Sequence, residues 1–324
     1  MTMPRLSFII PVRDDAGRLR RCLDSIAAQR AAAPIEIVVA DNGSADASAD
    51  VARAAGATVL VLPGLAVAQL RNRAAAAARG DLLAFVDADH ELTDGWIAAA
   101  LATLDDPHVA AAGAEYDAPT DGTWVQRMYD RLRAHHPGVT AVDWLPSGNL
   151  VVRRETFASI GGFDERLESC EDVDLCRRIR EDGGALLSVA GLRSTHVGDP
   201  KTLAALFYAE LWRGRDNLTV SLRERLTWRS APSVAMPIIN LAAIVAIVVG
   251  LLLWRWHLGA LAAAGVTVIA ATTALRATRL ILRAPADAPR LADFVRAIAV
   301  AATYEIARAL ALVAKAGHGV RRKA

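Results

Sequence analysis

At 324 residues the chain can hold one large domain or two modest ones, and 53% hydrophobic residues with a mean hydropathy of +0.27 are high for a protein lying wholly in water. The net charge of +2 is unevenly placed: from Arg276 onward 10 Lys and Arg face 3 Asp and Glu, roughly +7, which leaves the first 275 residues near −5. An acidic body with a basic tail, and no basic patch interleaved with aromatics in the body, suits an enzyme at a membrane surface better than a nucleic-acid binder.

The three cysteines, Cys22, Cys170 and Cys176, lack metal-ligand spacing, and their odd number argues against a disulfide framework. A reducing cytosolic setting is expected. Residues 1–12 have no long apolar core and run straight into Arg13-Asp14-Asp15, unlike a signal peptide.

In chain order, residues 6–12 are predicted as a first strand ending in a loop with Pro11, Val12 and Arg13. A helix over 16–29 follows, with Leu19, Leu23 and Ile26 on one face. Residues 35–40 form a second strand that runs into Asp41-Asn42-Gly43-Ser44-Ala45-Asp46, which carries turn chemistry and then a cap for a helix starting near Ala47. A third strand is expected over 58–62 and an Ala-rich helix over 66–79, closed by Gly80. Strands alternating with helices at this pace mean a parallel α/β sheet.

The next run, Leu82-Leu83-Ala84-Phe85-Val86-Asp87-Ala88-Asp89, is an apolar strand that breaks into two carboxylates one residue apart. Buried parallel strands read this way, and ligands of open α/β sheets sit past the strands' carboxyl ends. Alternate residues of an extended segment face one way, so Asp87 and Asp89 can share a site. Their hard oxygens suit Mg²⁺ or Mn²⁺ on nucleotide phosphates; the plainer alternative is a polar turn before a helix near Trp96.

Phe8-Ile9-Ile10-Pro11-Val12-Arg13, the Asp41–Asp46 loop, Arg71-Asn72 and Phe85-Val86-Asp87-Ala88-Asp89 resemble, in order and spacing, the family-2 glycosyltransferases. So do Ser147-Gly148-Asn149, Gly161-Gly162-Phe163-Asp164-Glu165 and Glu171-Asp172-Val173-Asp174-Leu175, which extends the likeness over about residues 6–200. The resemblance implies an α/β GT-A fold, a Rossmann-like and mostly parallel sheet flanked by helices, and an inverting transferase. It implies a nucleotide-sugar donor bound through Pro11, Val12, Arg13, Asp41, Arg71 and Asp87. It also implies a divalent cation, Mn²⁺ or Mg²⁺, held directly by Asp89, with Asp87 contacting ribose or the ion through water. Asp172 would be the general base that deprotonates the acceptor hydroxyl, with Glu171 and Asp174 as supporting charges.

Plainer readings stand beside several of these. Asp41-Asn42-Gly43 alone is equally an Asx-turn, Arg71 equally a solvated helix arginine, and the acidic run at 171–174 equally the charge preference of a helix N-terminus. His196 sits where some relatives put a third ligand, although a lone histidine is more often structural. Gly148, Asn149 and Glu171 are expected on the acceptor side. Arg213, in Glu210-Leu211-Trp212-Arg213 after an amphipathic stretch over 203–211, is either a diphosphate clamp or an interfacial anchor.

The sequence then changes character, which divides the chain into a cytosolic catalytic domain over 1–228 and a membrane region over 229–324. Residues 230–254 hold no charge and are long enough to cross a ~30 Å hydrocarbon core. Spans are expected at about 232–254 and 258–278, with Pro232 and Pro237 in the first turns and Trp254-Arg255-Trp256-His257 as an interfacial turn. Arg223, Arg225 and Arg229 before the hairpin, and Arg276, Arg279 and Arg283 at its end, put both termini on the cytoplasmic side of an inner or plasma membrane. Over 291–314, Asp293, Arg296, Thr303, Tyr304, Arg308 and Lys315 gather on one face, which predicts an amphipathic in-plane helix rather than a third span. The tail Arg321-Arg322-Lys323 would sit near anionic lipid.

The combined expectation is transfer of a sugar to a lipid-linked or membrane-proximal glycan acceptor in cell-envelope polysaccharide synthesis. A polyprenyl-phosphate sugar synthase is the close alternative; a nucleotidyltransferase and an inactive membrane scaffold are the alternatives from other classes. Donor sugar, nucleobase, acceptor and oligomeric state are not written in the sequence.

Overall fold

The computed structural model describes residues 4–29, 33–133, 135–224, 227–228, 230–254, 258–283 and 291–314. Arg225, Arg229, Arg255, Trp256, His257, Lys315 and the basic tail therefore lie outside the described residues. The chain divides into two compact units, Met1–Pro119 with Ala134–Asp199, and Thr120–Arg133 with Pro200–Ala324.

In the first unit, β1 (Leu6–Val12), α1 (Ala16–Ala27), β2 (Ile35–Asp41), α2 (Ser48–Ala54), β3 (Thr58–Val61), α3 (Val67–Ala77) and β4 (Leu82–Val86) alternate as the apolar runs require. Then come β5 (His90–Leu92), α4 (Trp96–Thr103) and β6 (Val109–Gly113). After α5 (Trp124–Asp130), which belongs to the second unit, follow β7 (Val139–Ala141), β8 (Asn149–Arg153), α6 (Arg154–Ser159), α7 (Glu171–Glu181), β9 (Ala185–Val189) and β10 (Ser194–His196). Eight strands make one sheet in the order β3-β2-β1-β4-β8-β6-β9-β7, and β10 pairs with β5 in a small antiparallel sheet. The pairings run β3, β2, β1, β4, β6 and β9 one way, with β8 and β7 reversed.

Period-two alternation sends each strand's side chains to opposite faces. In β1 and β4, Leu6, Phe8, Ile10, Leu82, Ala84 and Val86 pack with α1, α2 and α4, while Ile9, Leu83 and Phe85 pack with α3, α6 and α7. Both faces are therefore covered, as buried parallel strands require. The carboxyl ends of β1, β2 and β4 share one edge of the sheet, where Asp41 and Asp87 emerge.

Apart from a helix near Trp96, the sequence gives no element expectation over 90–170, where the strands are short. β8 inserts antiparallel between β4 and β6, and its first residue, Asn149, is fully buried. The Asn149 amide accepts from Trp96 Nε1 at 3.0 Å and donates to the carbonyls of Ala114 and Leu192 at 3.0 and 2.6 Å.

The second unit is helical: α5, α8 (Leu203–Arg213), α9 (Asn217–Ser221), α10 (Ala231–Leu252), α11 (Gly259–Leu282) and α12 (Leu291–Ala311). α10 and α11 are long and apolar enough to cross a membrane, with hydropathies of 2.6 and 1.6. Their backbones approach closely at small residues. A Cβ on Gly250 would fall 2.4 Å from the Ala262 nitrogen, and one on Gly265 would fall 2.5 Å from the Ala243 carbonyl. Pro232 sits in the first turn of α10, where its missing N–H leaves no gap, and Pro237 lies inside the helix.

α12 turns Asp293, Glu305 and Arg308 inward, while Arg296 is exposed. Glu305, buried, accepts from Asn240 Nδ2 at 2.7 Å and from Arg276 Nε at 2.5 Å, and Thr272 donates to Asn240 at 2.8 Å. Asp293 lies 3.7 Å from Arg131 and Arg308 3.9 Å from Glu210, while Leu291, Phe294, Val295 and Ile298 are exposed. That is the reverse of a helix facing water.

Because Asn149 ties β8 to α4 and to the carbonyls of two further segments, Asn149→Ala should cost about 2–3 kcal/mol. Melting of the detergent-purified protein, followed by tryptophan fluorescence, should show a midpoint lower by several degrees. An unchanged midpoint would mean the amide is dispensable to the core.

Candidate active site

The donor-side loops come first in the chain and are tied to one another. Asn42 N–H donates to the Val12 carbonyl (2.8 Å), Asp14 N–H to Ser44 Oγ (3.0 Å) and Ala45 N–H to Asp14 Oδ1 (2.7 Å). These bonds hold the end of β1, with Pro11, Val12 and Arg13, beside the loop that leaves β2. Asp41 is buried, and its Oδ1 accepts from Ser44 N–H at 3.0 Å and Ser44 Oγ at 2.5 Å, a local turn bond three residues on rather than the two of an Asx-turn. Asp41 Oδ2 takes no hydrogen bond from the described residues and remains an acceptor.

β4 stops at Val86, and the chain turns through Asp87–Asp89, where His90 N–H donates to the Asp87 carbonyl at 3.0 Å. Strand alternation therefore does not continue, and the two carboxylates meet different partners. Asp87 Oδ1 accepts from Arg71 Nη2 at 2.7 Å. Arg71, only 2% exposed, also donates through Nη1 to Glu171 Oε1 at 2.6 Å, and its Cζ lies 5.5 Å from the Phe163 ring centroid. The arginine is a bridge between the end of β4 and the start of α7, not a solvated helix residue.

Asp172 follows Glu171 in the first turn of α7, where free backbone N–H groups favour carboxylates. Its Oδ1 accepts from Val173 N–H at 2.8 Å and its Oδ2 from Ser147 N–H at 3.3 Å. Burial, then the charge of Glu171, push the Asp172 carboxyl up to about 7, while those two N–H groups and Arg71 pull the other way. A carboxylate with a pKa near 7 is matched to taking up a proton at neutral pH.

Asp89 lies on the other branch of the turn. Its Oδ2 is 3.3 Å from His196 Nε2 and 3.9 Å from Arg18 Nη1. Burial works against its charge, yet His196, then His90 and Arg18, hold the Asp89 carboxyl far below the usual carboxylate range. Burial likewise opposes charge on His196, but Asp89 and a 2.7 Å bond to Asp199 raise it to about 10. His90, next in sequence, is pushed down to about 4 by burial and by the charge of His196. Its Nδ1 is 2.9 Å from Ser194 Oγ, and its ring stacks on His196 with centroids 4.6 Å apart.

These residues fit a divalent cation. Ligand atoms of Asp89, His90 and His196 all lie within 4.8 Å of one another. Glycine at 198 keeps the approach to the carboxylate clear, because a Cβ there would fall 1.8 Å from Asp89 Oδ2.

Of the remaining expected residues, Gly148 abuts Asp87, and a Cβ on it would fall 2.9 Å from Asp87 Oδ2. Asn149 turns its side chain into the core, so only its backbone borders the site. Arg213 lies in the second unit, where it donates to Tyr129 Oη at 2.9 Å and Glu210 Oε1 at 3.2 Å. The sequence alone assigns no role to Arg18, His90, Ser147 or Asp199, although Ser147 opens one of the family-like motifs. His90 directly follows the paired aspartates, and Asp199 stands three residues after His196; both were visible signals.

Residues 7–160 match the family model described as glycosyl transferase family 2. The chain carries a family-2 glycosyltransferase domain. It is 31% identical over 194 residues to the pre-mycofactocin glycosyltransferase of Mycobacterium tuberculosis, covering 56% of this chain and 40% of that relative. The chain thus spans less than half the length of that protein. Glycosyltransferase AglE of Haloferax volcanii is 25% identical over 246 residues, covering 72% of this chain and 80% of AglE. Among solved structures, the mannosyltransferase PcManGT from Pyrobaculum calidifontis, in complex with GDP-Man and Mn²⁺, superposes with a TM-score of 0.59 at 19% identity. The match covers 94% of this chain and 88% of that one. S. aureus TarS in complex with UDP gives 0.51 at 18% identity, covering 71% and 70%. The likeness is one of fold, and the expected GT-A architecture is present.

Replacing Arg71 with methionine should leave Asp87 and Glu171 facing each other without a counter-charge. Loss of one partner from a buried ion pair costs about 3–5 kcal/mol, so Arg71→Met should lower the melting midpoint by on the order of 10 °C. Adding Glu171→Gln to Arg71→Met should recover part of that loss. Two additive losses would show that the three groups do not act as a unit.

Proposed function

We propose that this chain is a membrane-anchored, inverting glycosyltransferase. It moves a sugar from a nucleotide-diphosphate donor to a hydroxyl of a lipid-linked or membrane-proximal glycan. The observation that carries the reading is one edge of the sheet bearing two groups: Asp172, whose carboxyl is pushed up to about 7, and Asp89 with His196, which could hold a cation; Arg71 joins their chain neighbours Glu171 and Asp87.

In this reading the nucleobase lies against the tied loops after β1 and β2, where Asp41 Oδ2 is an available acceptor. Asp89 and His196 would hold a divalent cation, which would supply positive charge beside the diphosphate leaving group. Arg18 stands on the same side and adds a positive charge within reach of phosphate. Asp172 accepts the proton of the acceptor hydroxyl while that oxygen attacks the anomeric carbon opposite the leaving group, which inverts the centre in one displacement. Arg71 holds the base helix and the donor strand in register, so that base and donor meet in a fixed geometry.

α10 and α11 are proposed to cross the bilayer as a hairpin, with both termini on the cytoplasmic side of an inner or plasma membrane. The outward apolar face of α12, Leu291, Phe294, Val295 and Ile298, supports its contact with lipid. Anchoring raises the effective concentration of a lipid-linked acceptor.

The reading is tested by melting the detergent-purified chain and its Asp89→Ala variant with UDP-, GDP-, dTDP- and CMP-sugars, with and without Mn²⁺. One donor should raise the midpoint in a metal-dependent way that the variant loses. No shift with any donor in folded protein would sink the proposal.

The pH dependence gives an independent check. Asp172 works as a base only when ionised, and its pKa is raised to about 7, so kcat/KM should fall on the acid side with a midpoint near pH 7. Glu171→Gln removes one of the two forces that raise this pKa and should move the midpoint to lower pH. Asp172→Asn should lower kcat by roughly 10²–10⁴-fold without loss of donor binding. An acid limb centred near pH 4 in the unaltered protein would remove Asp172 from this role.

A further inference from the structure

We propose that His90 is a direct ligand of the divalent cation, completing a set of one carboxylate and two imidazoles, Asp89, His90 and His196, from which Asp87 is absent. The inference rests on the metal-dependent reading above and specifies which atoms hold the ion.

Three observations carry it. First, one ligand atom from each of the three residues lies within 4.8 Å of the others, close to the span that one six-coordinate ion can bridge. Second, both rings are held in matching ways. His90 Nδ1 is 2.9 Å from Ser194 Oγ and His196 Nδ1 is 2.7 Å from Asp199 Oδ1, so Nε2 is the ring atom each has left for an ion, and His196 Nε2 already lies 3.3 Å from Asp89 Oδ2. A ligating histidine is ordinarily oriented through its other ring nitrogen in this way. Tyr116 packs edge-on against both rings, with centroids 4.8 Å away in each case, and fixes the stacked pair. Third, the turn after β4 divides the two aspartates. Asp87 Oδ1 belongs to the buried Arg71 and Asp87 is outside the clustered group, although its Oδ2 borders Gly148 as His90 Nε2 does, while Asp89 faces His196.

Glycine at 148 is part of the same arrangement. A Cβ there would fall 3.0 Å from His90 Nε2, so a larger residue would block the approach to that nitrogen.

The chemical consequence concerns which ion is taken. Mg²⁺ prefers an all-oxygen octahedron and gives up water reluctantly, whereas two imidazoles with one carboxylate suit Mn²⁺ and the later first-row divalent ions. The site should therefore discriminate against Mg²⁺, which a site built from Asp87 and Asp89 would not.

The test uses the metal-stripped full chain in detergent, titrated with MnCl₂ with and without UDP or GDP and followed by electron paramagnetic resonance. Pulsed measurements should detect two imidazole nitrogens coupled to Mn²⁺ in the unaltered protein and one in His90→Gln. His90→Gln should bind Mn²⁺ roughly 10–100-fold more weakly, at least the loss seen when a ligand's orienting partner is removed. Mg²⁺ should displace Mn²⁺ from the unaltered protein only at more than about tenfold excess. A single coupled nitrogen in the unaltered protein overturns the proposal and needs no variant. Unchanged Mn²⁺ affinity in a folded His90→Gln overturns it as well. In either case, if Asp89→Ala still abolishes Mn²⁺ binding, the metal-dependent transferase reading stands without His90. If the unaltered protein binds no Mn²⁺ under any of these conditions, both readings fall.

Discussion

Arg71 is the residue on which the rest of the site depends. A guanidinium buried at 2% exposure between Asp87 and Glu171 is stable only because two carboxylates and fixed hydrogen-bond geometry offset its desolvation. In return it locks three elements together: α3, which carries it, the end of β4 and the first turn of α7. A lysine could supply the charge but not the forked pair of donors that reaches both carboxylates at once. Arg71 and the two carboxylates together leave one formal negative charge, and Asp172 sits next to it, half-buried. The raised pKa of Asp172 thus comes first from its desolvation and then from Glu171, a charge that the framework itself places there.

The same logic separates the two carboxylates after β4. Had the strand run on, Asp87 and Asp89 would have faced one way and repelled each other at a single point. The turn closed by His90 N–H sends them apart, Asp87 to a buried cation and Asp89 to an imidazole. One motif therefore serves two neighbouring centres, one structural and one open to a ligand. His196 stands between Asp89 and Asp199, which holds the ring on a defined axis and leaves little freedom for the carboxylate beside it.

The helical unit is organised by an inverted version of ordinary amphipathicity. Glu305, Asn240, Arg276 and Thr272 form a closed set of hydrogen bonds inside the bundle, while the apolar residues at the start of α12 are exposed. In water that arrangement would expose apolar surface without compensation; against acyl chains it satisfies both the polar interior and the apolar exterior. The close contacts at Gly250 and Gly265 are those of helices that pack by shape, the mode that small residues allow.

Local and periodic features were legible in the sequence alone. The strands at 6–12, 35–40 and 82–86, the helices between them, the start of α7 at Glu171 and the two long apolar helices all follow from side-chain periodicity and capping, which act over a few residues. The motif residues Asp41, Asp87, Asp89 and Asp172 were readable as chemistry because carboxylates at strand ends and helix starts are local signals. What each side chain touches was decided only by the tertiary structure. Arg71 meets Asp87 and Glu171, which are 16 and 100 residues away, and Asn149 turns into the core to meet Trp96. Glu305 is buried among α10 and α11, and His90 stacks on His196 across more than a hundred residues. Periodicity specifies which face of an element a residue occupies, but pairing across distant segments depends on strand order, and in this chain strand order is set by β8 entering the sheet in reverse between β4 and β6.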